Sequence, residues 1–208
     1  MDNLLLEIGA EEIPAGYIAP ALAAISSNLS KKMSAARIEH GEVKTFGTPR
    51  RLAVVVEQVV SRQPTISKDV LGPPTKVAYD ADGQPTMAAV KFAEKVGVAV
   101  KALKEKNTEK GSYLCARVTE KGLAPKTLLK KMLPEVILAT PFPKTMKWAE
   151  LNVQFARPMY SLVALLGSSP VSFSLGNLKS GRYNIGHSFL HPVKIKIEHP
   201  EVYLDSLT

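Results

Sequence analysis

The sequence predicts an α+β fold, with mixed sheets and packed helices, and three observations predict it. An uninterrupted apolar run, "NLLLEIG", opens the 208-residue chain and stops at Gly9 and the turn-prone "AEEIPAG", as a short buried strand does. Behind it Ile18, Leu22, Ile25, Leu29 and Met33 recur at spacings of four, three, four and four, which is one face of an amphipathic helix. "EVKTFGTPRRLAVVVEQVV" then supplies two extended pieces around Gly47 and Pro49, the second rich in valine.

The helix start is marked by Pro14 and the acids just before it, which suit a helix N-terminus, and "EHGEV" ends it. Residues 61–86 carry four prolines and the turn signal "DADGQP", so a long connection with at most a short strand is expected. From Thr86 the pattern "TMAAVKFAEKVGV" turns helical, with Thr86 at the N-cap and Gly97 as the stop. A strand at "GSYLCARVTEKG" and a helix at "APKTLLKKMLPEVILAT" follow. Strands near 160–166 and 170–175, joined by "GSSP", read as a hairpin, and "VKIKIE" as a half-buried strand with Lys194 and Lys196 facing solvent. Two parts are thus expected: a main α+β domain from 1–62 and 140–208, and an inserted small α/β subdomain, part helix and part strand, over 63–139. The ending "HPEVYLDSLT", where a helical pattern starts, reads as an internal boundary of a longer chain.

At 45% apolar content the chain can bury a real core. No run approaches the roughly 18–20 apolar residues of a membrane span, and acids stand where a targeting segment would carry cations, so a cytoplasmic location is expected. Cys115, the sole cysteine, reads as a small apolar filler in a strand. The net charge of +8 is uneven: residues 1–60 hold six Lys/Arg against seven Asp/Glu, and residues 61–208 hold twenty-one against twelve. That asymmetry suggests a polyanionic partner, although solvated lysines account for most of 91–131.

Several chemistries are excluded by pattern. No Walker-type loop or G-x-G-x-x-G joins a strand to a helix, and G-x-S-x-G is absent. His187 and His191 are four apart in a Gly- and Pro-bounded loop without a third ligand, so no metal site is expected. What remains are cations beside aromatics: Arg50 and Arg51 after "TP", Lys144 and Lys147 beside Trp148, Arg157 after Phe155, and Arg182 beside Tyr183. Cations on short turns bind phosphate oxygens, and aromatic faces stack on unpaired bases. Each has a plain structural alternative too: Trp148 as a core plug, Arg157 paired with Glu150, Arg50 at a sheet edge.

The blocks "LLLEIGAEEIPAGYI", "FGTPRRLAV", "LGPP", "FPKTMKW", "FARPMYSLVALLG" and "SGRYNIGHSFL" together resemble, in order, the N-terminal region of the beta subunit of bacterial tetrameric glycyl-tRNA synthetase. The resemblance implies a part of an aminoacyl-tRNA synthetase that carries no catalytic residue of its own. ATP and magnesium would be used through the alpha subunit, with no cofactor held by this chain. The implied partners are the alpha subunit, tRNA(Gly) and a second beta chain, and the implied role is subunit assembly and tRNA binding. The implied fold is that of the editing-type domain of the phenylalanyl-tRNA synthetase beta chain, although fold kinship does not transfer hydrolysis. With His187 added from the last block, the candidate RNA- or partner-binding set is Arg50, Arg51, Lys144, Lys147, Trp148, Arg157, Arg182 and His187.

This chain departs from the family pattern where Met159, Tyr160 and Ser161 replace the usual Ile-Arg-Trp, and where Ile185 and Ser188 replace arginines. Three cations expected on one region are missing. Two alternatives stay open on the sequence: a hydrolytic domain acting on mischarged tRNA, and a stand-alone basic RNA-binding module.

Overall fold

The computed structural model describes residues 1–80, 82–109, 111–148, 151–186 and 193–207, without the side chains of Trp148, Leu151 and Asn152. Its elements run β1 (Asp2–Ala10), α1 (Ala15–Ala35), β2 (Val43–Thr48), β3 (Arg51–Val59), β4 (Ile66–Pro74), α2 (Thr75–Ala78) and α3 (Met87–Val96). Then come β5 (Lys104–Thr108), β6 (Gly111–Glu120), α4 (Pro125–Leu138), β7 (Met146–Trp148), β8 (Leu151–Phe155), β9 (Met159–Leu166) and β10 (Ser169–Pro170). Short strands β11 (Ser174–Leu175), β12 (Leu178–Lys179), β13 (Tyr183–Ile185) and β14 (Lys194–Lys196) close the list, before 3₁₀ turns at 200–202 and 205–207. The α+β class expected from the sequence is what the chain adopts, but the strand pairs of its described sheets are antiparallel where mixed sheets were expected.

The chain divides into two compact units, 1–63 with 123–208, and 64–122. In the first, a five-stranded antiparallel sheet has the order β10-β9-β1-β3-β2, so the opening run becomes the central strand. Leu4, Leu6, Ile8 and Ala10 point into the core shared with α1 and α4, while Leu5 joins Ala53, Val55, Val163, Ile197 and Tyr203 on the opposite face. Both faces are covered, which is why β1 reads as a continuous apolar run instead of an alternation. Helix α1 buries Ala21, Leu22, Ile25, Leu29 and Met33, nearly the stripe its spacing predicts.

Helix α4 belongs to this first unit and not to the insertion where the sequence placed it. Its buried Leu129, Leu133, Val136 and Ile137 lie in the core of α1 and β1, and Lys32 of α1 reaches Glu135 of α4 at 2.5 Å. At the base of the pair, the Gln63 side chain donates to Ala36 O and accepts from Leu123 N at 3.0 Å. One amide thus joins the end of α1 to the start of α4.

In the second unit an antiparallel sheet, order β4-β6-β5, carries a small core of Ala78, Ala89 and Leu114 against Tyr79, Phe92 and Leu103. Strand β4 spans nine residues where the sequence suggested at most a short strand. It is an edge strand with mostly exposed side chains, so apolar alternation is missing and its terminal prolines are tolerated. The "DADGQP" turn is as expected: Asp80 Oδ1 accepts from Asp82 N at 3.0 Å and Gln84 N at 2.7 Å, with Gly83 at φ 75°. Gly97 closes α3 at φ 69°, and Cys115 is buried in β6. Among the described residues no helix is long and apolar enough to cross a membrane.

Candidate nucleic-acid or partner interface

The segment between β1 and α1 is tied to the two turns that carry candidate cations. Ala10 N donates to Arg50 O at 3.0 Å, Glu11 N to Pro158 O at 2.8 Å, and Ile13 N to Pro49 O. Arg157, in the turn between β8 and β9, donates from Nε to Glu12 O at 3.0 Å and lies 3.7 Å from Met146 Sδ. Its Nε is therefore held by a backbone carbonyl, and among the described residues no acidic side chain pairs with it; Glu150, the alternative partner read from the sequence, lies outside the described residues.

Lys144 and Arg157 flank a shallow cleft of about 220 Å³ whose other walls are Pro14, Tyr17, Met146 and Ala156. Tyr17 is backed by Phe142 at 6.3 Å between centroids, and Phe142 meets Phe155 edge-on at 4.7 Å. That column fixes the Tyr17 ring from the core outward. Lys147 follows on β7, exposed. A second hollow beside the first is lined by Glu11, Glu12, Met146, Arg157 and Pro158. Arg157 thus stands between a basic and an acidic side.

Arg50 is bound closer in. Its Nη2 donates to Glu11 Oε2 at 3.0 Å, and its Cζ lies 6.0 Å from the centre of the Tyr160 ring. Burial pushes the Tyr160 phenol above its ordinary pKa, against the pull of Arg50 and Arg51. Tyr160, one of the departures from the family pattern, has become a platform under Arg50. Ser161, the next departure, lies opposite Gly9 across the β1–β9 pair. A Cβ on Gly9 would run into Ser161 Oγ and come within 2.9 Å of the Tyr160 ring, so β1 needs glycine there.

The other candidates are not part of this group. Arg51 donates to Ile185 O, and Arg182 to Ser168 O at 2.6 Å and to Glu198 at 3.3 Å. Both fasten the C-terminal strands to the sheet. Trp148 belongs to β7, its side chain outside what is described, and His187 and His191 lie outside the described residues. The structure thus brings together Lys144, Arg157 and, through Glu11, Arg50, with Lys147 alongside on β7.

One polar cluster went unnoticed in the sequence. Glu7, on the face of β1 away from the helices, is fully buried. Its Oε2 accepts from Asn184 Nδ2 at 2.8 Å and from the Tyr203 hydroxyl at 2.5 Å. Burial drives its carboxyl above the ordinary range, opposed by the Tyr203 hydrogen bond and by Arg51. Tyr203 is pushed up too, by burial and then by Glu7. The available signal was a carboxylate inside "LLLEIG", a placement that requires partners when both faces of the strand are covered.

The model of the glycyl-tRNA synthetase beta subunit family matches residues 4–208. The chain is 48% identical over 207 residues to the glycine-tRNA ligase beta subunit of Desulfatibacillum aliphaticivorans, covering 100% of this chain and 30% of that protein. It is 46% identical over 207 residues to that of Desulforapulum autotrophicum, with the same coverage. Against that of Myxococcus xanthus it is 48% identical over 201 residues, 97% of this chain and 29% of the relative. The chain spans about 30% of the length of these relatives, and it belongs to the glycyl-tRNA synthetase beta subunit family.

Proposed function

We propose that this chain is the N-terminal region of a glycine-tRNA ligase beta subunit that helps assemble the enzyme and bind tRNA(Gly). Glycine activation with ATP and magnesium belongs, in this reading, to the alpha subunit, and a second beta chain completes the tetramer. The membership of residues 4–208 in the family supports the enzyme class. The observation that carries the tRNA contact is the cleft where Lys144 and Arg157 flank Tyr17. Two cations around a fixed aromatic face can take phosphate oxygens and stack an unpaired base. We read the larger unit as kin to the editing-type domain of the phenylalanyl-tRNA synthetase beta chain, a likeness of fold that brings no hydrolytic chemistry by itself. A cytoplasmic location follows from the enzyme class.

The test is filter binding of tRNA to the chain and to Lys144→Ala/Arg157→Ala, the two cations of the cleft, over a range of salt. Removing two phosphate contacts lowers affinity and reduces the slope of log affinity against log salt by about two, with the melting curve kept. If affinity and slope stay unchanged in a folded variant, the cleft does not bind tRNA.

A further inference from the structure

The outer layer made by α1 and α4 carries an unbalanced charge. The two helices hold five lysines, Lys31, Lys32, Lys126, Lys130 and Lys131, and one acid, Glu135, which is engaged with Lys32. Lys31, Lys130 and Lys131 are exposed, and none of Lys31, Lys126, Lys130 and Lys131 has an ion-pair partner among the described residues. The Gln63 amide that joins Ala36 to Leu123 brings the C-terminal end of α1 beside the N-terminal end of α4. Lys32 reaches Glu135 in the last turn of α4 while Lys126 stands in its first turn, so the lysines are spread along the pair, with exposed Arg62 next to the Gln63 junction.

Helix stability explains only part of this pattern. Cations favour helix C-termini and acids favour N-termini, which suits Lys32 in the last turn of α1, yet neither helix has an acid in its first turn and α4 has Lys126 there. The surface between the lysines is hydroxylic, with exposed Ser27, Ser34 and Thr127, and α4 has no aromatic residue. Protein interfaces concentrate aromatics and are depleted of lysine, whereas phosphate backbones are gripped by lysine with Ser and Thr hydroxyls.

We propose that this α1–α4 face binds the phosphate backbone of RNA without reading its sequence, as a second contact distinct from the Tyr17 cleft. The inference rests on the reading of the chain as a tRNA-binding part of the ligase, but on different residues. The two contacts divide the labour: the cleft holds one exposed nucleotide, and the helix face supplies a diffuse, salt-sensitive field along a duplex.

The experiment compares the chain with Lys31→Gln/Lys126→Gln/Lys130→Gln/Lys131→Gln, using bulk tRNA and a synthetic RNA duplex of unrelated sequence as probes. Four lost phosphate contacts reduce the salt slope by about 3–4, equally for both probes. The matching Lys→Arg set, which keeps charge, retains the slope, and thermal melting of each variant separates lost binding from lost fold. An unchanged slope in a folded Gln variant overturns the proposal; if the Lys144/Arg157 variant still lowers affinity, the cleft reading survives alone. Unchanged RNA binding with lost retention of an alpha-subunit partner also overturns it, and assigns the face to protein. Absence of RNA binding by the unaltered chain defeats both readings.

Discussion

Replacing Glu7 tests the account of how the sheet is tied to the C-terminal strands. In Glu7→Ala the Asn184 amide and the Tyr203 hydroxyl lose the oxygen they share at 2.8 Å and 2.5 Å. Two buried donors left unmade cost about 1–3 kcal/mol each. At roughly 2–4 °C per kcal/mol for a chain of this size, the melting temperature falls by an amount calorimetry resolves easily. Glu7→Gln keeps an acceptor for both donors and adds an N–H where Glu7 Oε1 and Asn184 Oδ1 have no partner among the described residues. It also removes the cost of ionisation. Because the folded carboxyl is raised above its unfolded value, its contribution is fully present below the unfolded pKa, near 4.3. It is lost as pH rises through the folded value, at about 1.4 kcal/mol per unit of difference. The assay is therefore the difference in unfolding free energy between Glu7→Gln and the unaltered chain from pH 4 to 9, by urea titration. Taking the difference cancels Asp69, held low chiefly by Arg117, and Glu198, held low chiefly by Lys196, which lose stability in the opposite direction as pH falls. The variant should gain on the unaltered chain as pH rises. A difference that is flat, or that declines with pH, refutes the reasoning.

Further outcomes are expected elsewhere in the fold. Gly9→Ala should cost about 1–3 kcal/mol by overpacking, and Ser161→Gly in the same chain should restore part of it, because Ser161 Oγ is the nearest obstacle and the Tyr160 ring at 2.9 Å remains; a double-mutant cycle by chemical denaturation measures the coupling. Gln63→Ala should open the junction of α1 and α4, costing about 1–3 kcal/mol for the orphaned Leu123 N–H and Ala36 carbonyl, with faster amide exchange confined to 36–38 and 123–127. Leu29→Ala, fully buried between α1 and the sheet, should cost about 2–5 kcal/mol and lower the midpoint of urea unfolding at an unchanged slope.

Sequence legibility followed burial. β1, α1 and β3 could be read because burial on one or two faces leaves a periodic or continuous apolar signal, whereas β2, which has no buried residue, could be read only from the break at Gly47 and Pro49. β4 could not, since its exposed side chains and terminal prolines carry no such signal. The assignment of α4 failed for another reason: Leu129, Leu133 and Ile137 mark a buried face but do not say which core receives it. The cations were legible as residue types and not as partners. Arg50 and Arg182 proved to be engaged with Glu11 and Glu198, 39 and 16 residues away in the chain, whereas Arg157 is held by a backbone carbonyl that no side-chain pattern encodes. Glu7 was hidden for a related reason, as its partners Asn184 and Tyr203 lie 177 and 196 residues away.

The most direct measurement is steady-state glycylation of tRNA by an alpha subunit assembled with a full-length beta chain carrying Lys144→Ala, Lys147→Ala and Arg157→Ala. If this region binds tRNA and takes no part in activation, KM for tRNA rises while KM for glycine and the rate of ATP-dependent glycine activation stay as they were. An unchanged KM for tRNA, or a loss of glycine activation in an intact assembly, contradicts the account.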